Sequence, residues 1–273
     1  MTDPIDRRTL MALTALGSLA AAIPAAAQDE TEAQHMKRMK AIPRDAPKIA
    51  MLVYPKMVAL DLIEPMTILT ILRSNIHLVW KDKQPVSTDV HLPIAATHTF
   101  DDVPDDLDVL FVPGGILGTI DCMTDPEVLA FLADRGQRAK WVTSVCTGGL
   151  VLAAAGLLNG YDATAHWAVA DLLPLMGARH VDERVVTDRN RMTGGGVTAG
   201  LDFGLDLAAK LRDEDAARRI QLILEYSPEP PFHNGTPAEA GPDRLAKARA
   251  SRQWMDGEAR KAAMEAGKRL GTI

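Results

Sequence analysis

The sequence predicts an α/β protein in which helices cover a mostly parallel sheet. Four short, continuous apolar runs have the character of strands buried on both faces, and they cover residues 49–54, 78–80, 109–112 and 141–145. Helical stretches lie between them, at about residues 63–73, 126–139 and 148–158. Strands and helices that alternate at this spacing are typical of a parallel sheet with helical crossover connections.

The second half of the chain departs from this alternation. Two short apolar segments flank a turn at residues 188–190 and predict a hairpin within 180–194. Helices follow at about 198–211 and 214–225, and an Ala-, Lys-, Arg- and Glu-rich stretch at 242–269 predicts a surface or partner-packing helix. The expected organisation is a signal at 1–27, a linker at 28–47, a main domain that carries the site at 48–232, and a C-terminal extension at 233–273.

Composition narrows the class of protein. The chain has 273 residues, of which 47% are hydrophobic and 24% charged, as in soluble proteins with a core and unlike disordered chains or disulfide-stapled miniproteins. The net charge of −6 disfavours a nucleic-acid partner, because such proteins carry a basic surplus. The cysteines Cys122 and Cys146 and the scattered histidines do not have metal-ligand spacing, so we expect no metal and no cofactor.

The first 27 residues have the features of an export signal. Arg7 and Arg8 precede an uncharged stretch, 9–27, that ends in three alanines. This pattern predicts a cleaved signal peptide of the twin-arginine type, and hence a periplasmic protein with no membrane segment after cleavage. An uncleaved N-terminal membrane anchor is the alternative, because the uncharged stretch is just long enough to span a bilayer.

Cys146 stands where an apolar strand changes directly into an apolar helix. Small residues lie two positions before it and two after it, at Ser144 and Gly148, which predicts a strand–turn–helix elbow. The sulfur would then point into the crevice at the carboxyl ends of the strands, where the following helix N-terminus stabilises a thiolate. The alternative is a small buried hydrophobic residue, which leaves the glycines unexplained.

Two other segments add candidate residues. Gly114 and Gly115 end what should be the neighbouring strand, and their backbone amides are candidates for stabilising a developing negative charge, although Pro-Gly-Gly also forms ordinary turns. Asp61 precedes a predicted helix with Glu64 three residues later, so spacing alone favours a helix capping box. The run 194–199 fits a dinucleotide-binding pattern, but it follows a hairpin and does not open a first strand–helix unit.

These segments together resemble the ThiJ/PfpI superfamily, the class I glutamine amidotransferase-like proteins, and imply their flavodoxin-like three-layer fold. Within it the sequence looks most like the isonitrile hydratases. The superfamily resemblance is carried by residues 111–115, 144–148, 163–167 and 193–200, and the closer one by residues 60–62 with Pro65, Thr147, 181–201 and 221–232.

The resemblance implies a role for each site residue. Cys146 would be the nucleophile, Asp61 would shuttle a proton, and the Thr147 hydroxyl would replace a histidine common in peptidase-like relatives. Gly115 and the Thr147 amide would face a small-molecule substrate, an isonitrile, which would pass through a cysteine thioimidate to an N-substituted formamide. Superfamily members usually pair, so a homodimer is implied.

Some residues remain open at this stage. Isonitrile hydratases usually have Thr-Gly where this chain has Ile63 and Glu64, so Glu64 puts a second carboxylate near the site. His166 would be a wall of the pocket or a partner of Cys146, and Cys122 is either a free thiol or a disulfide partner of Cys146. The rival functions are another cysteine enzyme of the superfamily, such as a glyoxalase, deglycase or amidase, and a non-catalytic sensor or stress-binding module.

Overall fold

A seven-stranded sheet forms the centre of the computed structural model, which describes residues 31–34, 37 and 41–273. Every neighbouring pair of strands is parallel except the β10–β11 hairpin at one edge. Across the sheet the order is β10 (Val185–Asp188), β11 (Arg191–Gly194), β7 (Trp141–Ser144), β6 (Val109–Val112), β1 (Lys48–Leu52), β2 (Asn75–Trp80) and β5 (His98–Thr99). Two small pairs lie outside it, β3 (Val86–Ser87) with β4 (Pro93–Ile94) and β8 (Asp162–Ala163) with β9 (Arg179–His180).

The helices form two packed groups. One contains α1 (Ala59–Ile71), α5 (Ala199–Leu211) and α6 (Glu214–Ile223). The other contains α2 (Ile116–Thr124), α3 (Pro126–Arg138), α4 (Gly148–Ala154), a 3₁₀-helix (Ala170–Met176) and α8 (Pro242–Leu270), which also contacts the short α7 (Pro237–Ala240). The crossover from β1 to β2 and the crossover from β6 to β7 run in opposite directions along the sheet, so right-handed connections place their helices on opposite faces. The result is the predicted three-layer, flavodoxin-like arrangement.

The central strands explain the continuous apolar runs. Every residue of β6 and all but the first residue of β1 are buried, because helices cover both faces of the sheet. β6 and β7 are parallel neighbours, with Val112 opposite Ser144, as the sequence predicts. The hairpin prediction is also confirmed, since β10 pairs antiparallel with β11.

Two helix predictions need correction. α1 begins at Ala59, four residues before the expected start, so Asp61 lies inside the helix and does not precede it. α2 is absent from the sequence-based prediction, which leaves residues 119–125 as a loop. Gly118 is needed in this helix since a Cβ at this position would lie 2.3 Å from the Pro55 carbonyl oxygen.

The predicted signal peptide and part of the predicted linker lie outside the described residues. Within the described chain, no helix is both long enough and apolar enough to cross a membrane.

The direction of the chain reverses between β1 and β6, and this is where the candidate residues gather. After β1 the chain passes through a helix to β2 on one side of this strand pair. After β6 it passes through helices to β7 on the other side. Open parallel sheets bind ligands outside the carboxyl ends of the strands at such a reversal. Asp61 follows β1, Gly114 follows β6 and Cys146 follows β7, so the topology brings all three to one edge of the sheet.

Candidate active site

The backbone at Cys146 has the predicted elbow. Its φ of 55° lies in the left-handed region, which disfavours residues with a side chain. The Cys146 amide donates hydrogen bonds to the carbonyl oxygens of Gly194 and Gly195, at 3.1 and 2.7 Å. A Cβ on Gly148 would lie 2.2 Å from the Val112 carbonyl oxygen, so the turn closes only around glycine. The 194–199 run therefore supports the elbow.

Asp61 lies beside Cys146 and Gly114. Its side chain is fully buried, and its Oδ2 accepts a hydrogen bond of 2.9 Å from the Gly114 amide. A Cβ on Gly114 would lie 2.6 Å from that same Oδ2 and 2.8 Å from the Cβ of Cys146. The three residues thus converge on one point, which requires glycine at position 114.

The prediction that Asp61 and Glu64 form a helix capping box is wrong. Asp61 is the third residue of α1, and the residue before the helix, Val58, has no capping side chain. The first helical amide, that of Ala59, instead donates a hydrogen bond of 2.9 Å to Oδ1 of Asp89, which lies in a distant loop. The Asp61 carboxylate is therefore free to face the sulfur.

The thiol of Cys146 and the carboxyl of Asp61 perturb each other's pKa. Burial raises the pKa of Asp61 to about 6, while hydrogen bonds from the thiol and from the Gly114 amide lower it. Burial and the charge of Asp61 raise the pKa of the Cys146 thiol well above its usual range, against a lowering hydrogen bond from the Thr147 amide. The resting pair at neutral pH is thus a thiol beside a carboxylate, and the expected stable thiolate is corrected.

The Thr147 hydroxyl forms hydrogen bonds with the loop and the helix next to the site. It accepts a hydrogen bond of 2.9 Å from the Gly115 amide and lies 2.7 Å from the hydroxyl of Thr119. Tyr54 continues this chain, 3.3 Å from Thr119, and donates to the Pro113 carbonyl oxygen. The hydroxyl is therefore engaged in holding the Gly115 loop.

The expectation that the Gly114 and Gly115 amides are open to a substrate is not met. Gly114 donates to the carboxylate of Asp61 and Gly115 to the hydroxyl of Thr147. The amide that does face the sulfur is that of Thr147. The two glycines position the acid and the elbow, because their amides are already paired.

Glu64 places a second buried carboxyl one helical turn after Asp61. Its Oε2 is buried without a hydrogen-bond partner and would lie 2.7 Å from a Cβ on Gly200. Burial and the charge of Asp61 raise the pKa of Glu64 to about 7, although Arg184 lowers it. Glu64 therefore changes its charge near neutral pH, close to Asp61.

His166 is tied to the elbow by its backbone. Its amide donates to the Cys146 carbonyl oxygen at 3.1 Å, and its Nδ1 accepts from the Ala168 amide at 3.2 Å. Burial and the charge of Arg252 lower the pKa of His166 to about 4. The ring is neutral at pH 7, and its Nδ1 is already occupied, which fits a wall of the pocket.

Sequence reasoning misses three residues near the site. Tyr54 and Thr119 complete the hydrogen-bond chain behind Thr147, and Arg252 on α8 lowers the pKa values of both Cys146 and His166. No motif in the sequence around Tyr54 or Thr119 sets them apart, and Arg252 is far from the other site residues in sequence. Only the fold brings them to the cysteine.

The other predicted features have plain outcomes. Both cysteines are free and buried, and burial raises the pKa of the Cys122 thiol as it does that of Cys146. Among the described residues, no cluster of three or more His, Cys, Asp or Glu side chains is arranged to hold a metal ion. A surface groove between α5 and α6, lined by Asp202, Asp206, Glu214 and Tyr226 among others, contains none of the predicted site residues.

Known proteins resemble this chain in sequence and in fold. The chain is 50% identical over 194 residues to the isonitrile hydratase of Pseudomonas putida, covering 71% of this chain and 84% of that protein. The crystal structure of a ThiJ/PfpI family protein from Pseudomonas syringae superposes with a TM-score of 0.78 at 47% identity, covering 80% of this chain and 90% of that one. A glutathione-independent glyoxalase DJ-1 from Schizosaccharomyces pombe is 30% identical over 45% of this chain and 65% of that protein.

The family model of DJ-1/PfpI matches residues 47–210, which hold the whole parallel sheet and every predicted site residue. The chain belongs to the DJ-1/PfpI family.

Proposed function

We propose that this protein hydrates an isonitrile to an N-substituted formamide, with Cys146 as the nucleophile and Asp61 as the proton carrier. The observation that supports this most directly is the buried Asp61 carboxyl at the thiol, with a pKa of about 6. A group that must both accept and return a proton works best with a pKa near the working pH. The similarity to the isonitrile hydratase of Pseudomonas putida points to the same reaction.

The reaction balances with these two residues and one water. Asp61 takes the thiol proton while the sulfur attacks the terminal carbon of R–N≡C, which forms the carbon–sulfur bond. Asp61 then returns that proton to the same carbon, giving a thioimidate, R–N=CH–S–Cys146. Water adds to the thioimidate carbon, the carbon–sulfur bond breaks, and R–NH–CHO leaves as the thiol regains its proton.

The burial of the nucleophile favours a slender reacting group. Cys146 is only 4% exposed. The –N≡C group is linear and one atom wide at its reacting end, so it needs a narrow approach to the sulfur. A branched carbonyl substrate needs a wider one.

The test is to trap the intermediate and identify the product. Protein mixed with cyclohexyl isocyanide is expected to carry an adduct on Cys146 by mass spectrometry and to release the formamide, while Cys146→Ala does neither. Cys122 is the internal control, because it is the second free cysteine and lies on α2, outside the elbow. Labelling confined to Cys122 would count against the mechanism, and lactate from methylglyoxal with no formamide from the isocyanide would favour the rival glyoxalase function.

We further propose that the protein is exported and works as a homodimer. The first 27 residues support export, and the resemblance supports pairing. Cell fractionation with and without Arg7→Lys and Arg8→Lys tests the first, and light scattering on the purified mature chain tests the second. Retention in the cytoplasm, or a monomeric mass, would contradict the respective proposal.

A further inference from the structure

Glu64 is a buried carboxyl with one oxygen that the protein does not use. The residue is only 9% exposed, and its Oε2 has no hydrogen-bond partner among the described residues. A pKa of about 7 leaves much of the group ionised at neutral pH. A buried carboxylate loses its hydration and requires a cation or hydrogen-bond donors in return. The protein therefore has an acceptor, next to the proposed proton carrier, that is available to a ligand.

The donors around Glu64 are engaged elsewhere. The charge of Arg184 acts on the carboxyl, but its guanidinium donates to the Asp202 carboxylate and, at 2.8 Å, to the Thr198 carbonyl oxygen. A Cβ on Gly200 would lie 2.7 Å from Oε2 of Glu64, so the start of α5 is in contact with the carboxyl. The Gly200 amide, however, donates to a carbonyl oxygen of the preceding turn at 3.1 Å. These groups leave Oε2 free to accept from a bound molecule.

Glu64 also lies beside the residues that hold the sulfur. Glu64 and Asp61 are three positions apart on α1, which places their Cβ atoms about 5–6 Å from each other on one face of the helix. Oδ2 of Asp61 and Cβ of Cys146 lie 2.6 and 2.8 Å from one point, the place that a Cβ on Gly114 would occupy. The Glu64 carboxyl is thus one helical turn beyond the acid that lies beside the thiol.

The start of α5 connects the same two groups from the other side. Gly200 contacts Glu64 and lies shortly after Gly194 and Gly195 in the chain. The carbonyl oxygens of these two glycines accept hydrogen bonds from the Cys146 amide, at 3.1 and 2.7 Å. A small molecule bound at the sulfur therefore needs only a short side group to reach Glu64.

The charges around Glu64 favour a cation. Asp61 on α1 and Asp202 on α5 add negative charge to its surroundings, and both raise its pKa. Arg184, which opposes them, is ion-paired with Asp202. Of these four groups, three are carboxyls and one is a guanidinium. An ammonium group is therefore favoured at this position over a neutral or an anionic group.

We propose that Glu64 is a specificity-determining residue, and that it selects isonitriles whose side group ends in a protonated amine on a short alkyl spacer. The ammonium group donates to Oε2 of Glu64 while the isonitrile carbon lies at the Cys146 sulfur. The isonitrile end of this substrate rests on the proposed function, whereas the preference for a cation rests on Glu64.

The first test measures the charge preference at Cys146 without an isonitrile. Two methanethiosulfonates of similar shape are compared, the cationic 2-aminoethyl reagent and the neutral propyl reagent, which attach to a thiol as mixed disulfides. The labelling rate of Cys146 in the full chain is measured by peptide mass spectrometry at pH 8, where Glu64 is largely ionised. The ratio of the cationic to the neutral rate is expected to fall about tenfold in Glu64→Gln, because glutamine keeps the shape of the side chain but not its charge.

Two further variants show whether the effect belongs to the Glu64 charge. Glu64→Asp keeps a carboxylate on α1 and is expected to retain most of the preference for the cation. Asp206→Asn removes an exposed carboxylate on α5, in the groove that contains none of the predicted site residues, and is expected to leave the ratio unchanged. Because the two rates are compared within each protein, an effect of Glu64 on the ionisation of the thiol cancels.

The second test compares 3-(dimethylamino)propyl isocyanide, which is cationic, with neutral 4-methylpentyl isocyanide, which has the same branching. The ratio of their kcat/KM values is expected to fall about tenfold in Glu64→Gln. An unchanged labelling ratio in Glu64→Gln, or hydration of both isonitriles with the same ratio in the two proteins, would overturn the proposal. A labelling ratio that depends on Glu64, with neither isonitrile hydrated, would support the preference for a cation and refute the proposed hydration.

Discussion

Asp61→Asn is expected to remove activity and at the same time to stabilise the protein. The pKa of Asp61 is about 6 in the folded state, compared with 3.8 for an exposed aspartate. A carboxyl whose pKa is raised by folding destabilises the folded state as the pH rises, because the buried group must then lose its proton. A pKa difference of about 2 corresponds to about 3 kcal/mol at 1.36 kcal/mol per pKa unit.

The expected stabilisation therefore depends on pH in a defined way. The asparagine side chain is neutral at every pH and can still accept the Gly114 hydrogen bond, so any offset from its different packing is constant. The gain in the free energy of unfolding is expected to be below about 1 kcal/mol at pH 4, to grow up to about pH 6, and to level off near 3 kcal/mol by pH 8. Activity is expected to fall by about 10²- to 10⁴-fold, as for loss of a general acid–base group.

Urea unfolding of both proteins at pH 4, 5, 6, 7 and 8 measures this difference. Asp121→Asn is the control, because Asp121 is 62% exposed and its ion pair with Lys56 is a surface one. Its effect is expected to stay within about 1 kcal/mol and to show no growth between pH 4 and 6. A difference between Asp61→Asn and wild type that does not change with pH would refute the raised pKa, and with it the proton-carrier role drawn from it.

Three further changes test the parts around the acid. Thr147→Val leaves the buried Gly115 amide without its acceptor and is expected to lower the free energy of unfolding in urea by about 1–3 kcal/mol. Thr147→Ser is expected to keep most of the stability, and equal losses in the two variants would contradict the hydrogen-bond role. Gly114→Ala places a methyl group 2.6 Å from the Asp61 carboxylate and is expected to abolish activity. The control is Gly257→Ala, whose added methyl has nothing within 4 Å, so kcat/KM is expected to stay unchanged. This control is also expected to stabilise the helix by about 0.5–1 kcal/mol. Glu64→Gln removes the carboxyl that ionises near pH 7, so the kcat/KM profile is expected to lose its inflection near pH 7 while the acidic limb near pH 6 stays in place; an unchanged profile would show that Glu64 does not act on Asp61.

Much of the fold and the elbow could be predicted from sequence because they depend on local patterns. Buried parallel strands need continuous apolar runs, and the turn at Cys146 needs Gly148 at a fixed distance along the chain. The start of α1 could not be predicted in the same way, because its first amide is capped by Asp89, thirty positions away. The position of Asp61 depends on that start, so spacing alone suggested a cap where the structure has a buried acid.

The hydrogen-bond partners of the Gly114 and Gly115 amides could not be predicted from local sequence either. The Pro-Gly-Gly turn offers two amides in the sequence, but whether they are free depends on which side chains the fold brings to them. Asp61 and Thr147 come from other elements and occupy both. Arg252 lies still further away, on a helix outside the family match, and its relation to the thiol depends entirely on how that helix packs.

The presence of Glu64 on α1 affects the proton on Asp61. Both carboxyls lie on α1 within one turn, and each ionised group raises the pKa of the other. With pKa values of about 6 and about 7, Asp61 ionises first as the pH rises, and Glu64 remains largely protonated while it does so. Near neutral pH, Asp61 is then the base beside the thiol, and the second proton is held by Glu64. As Glu64 ionises, its charge makes Asp61 a stronger base, which favours transfer of the thiol proton to Asp61. A glycine at position 64 would leave the acid without this pH-dependent neighbour, so we expect this chain to keep more activity on the alkaline side of neutrality than Glu64→Gly does.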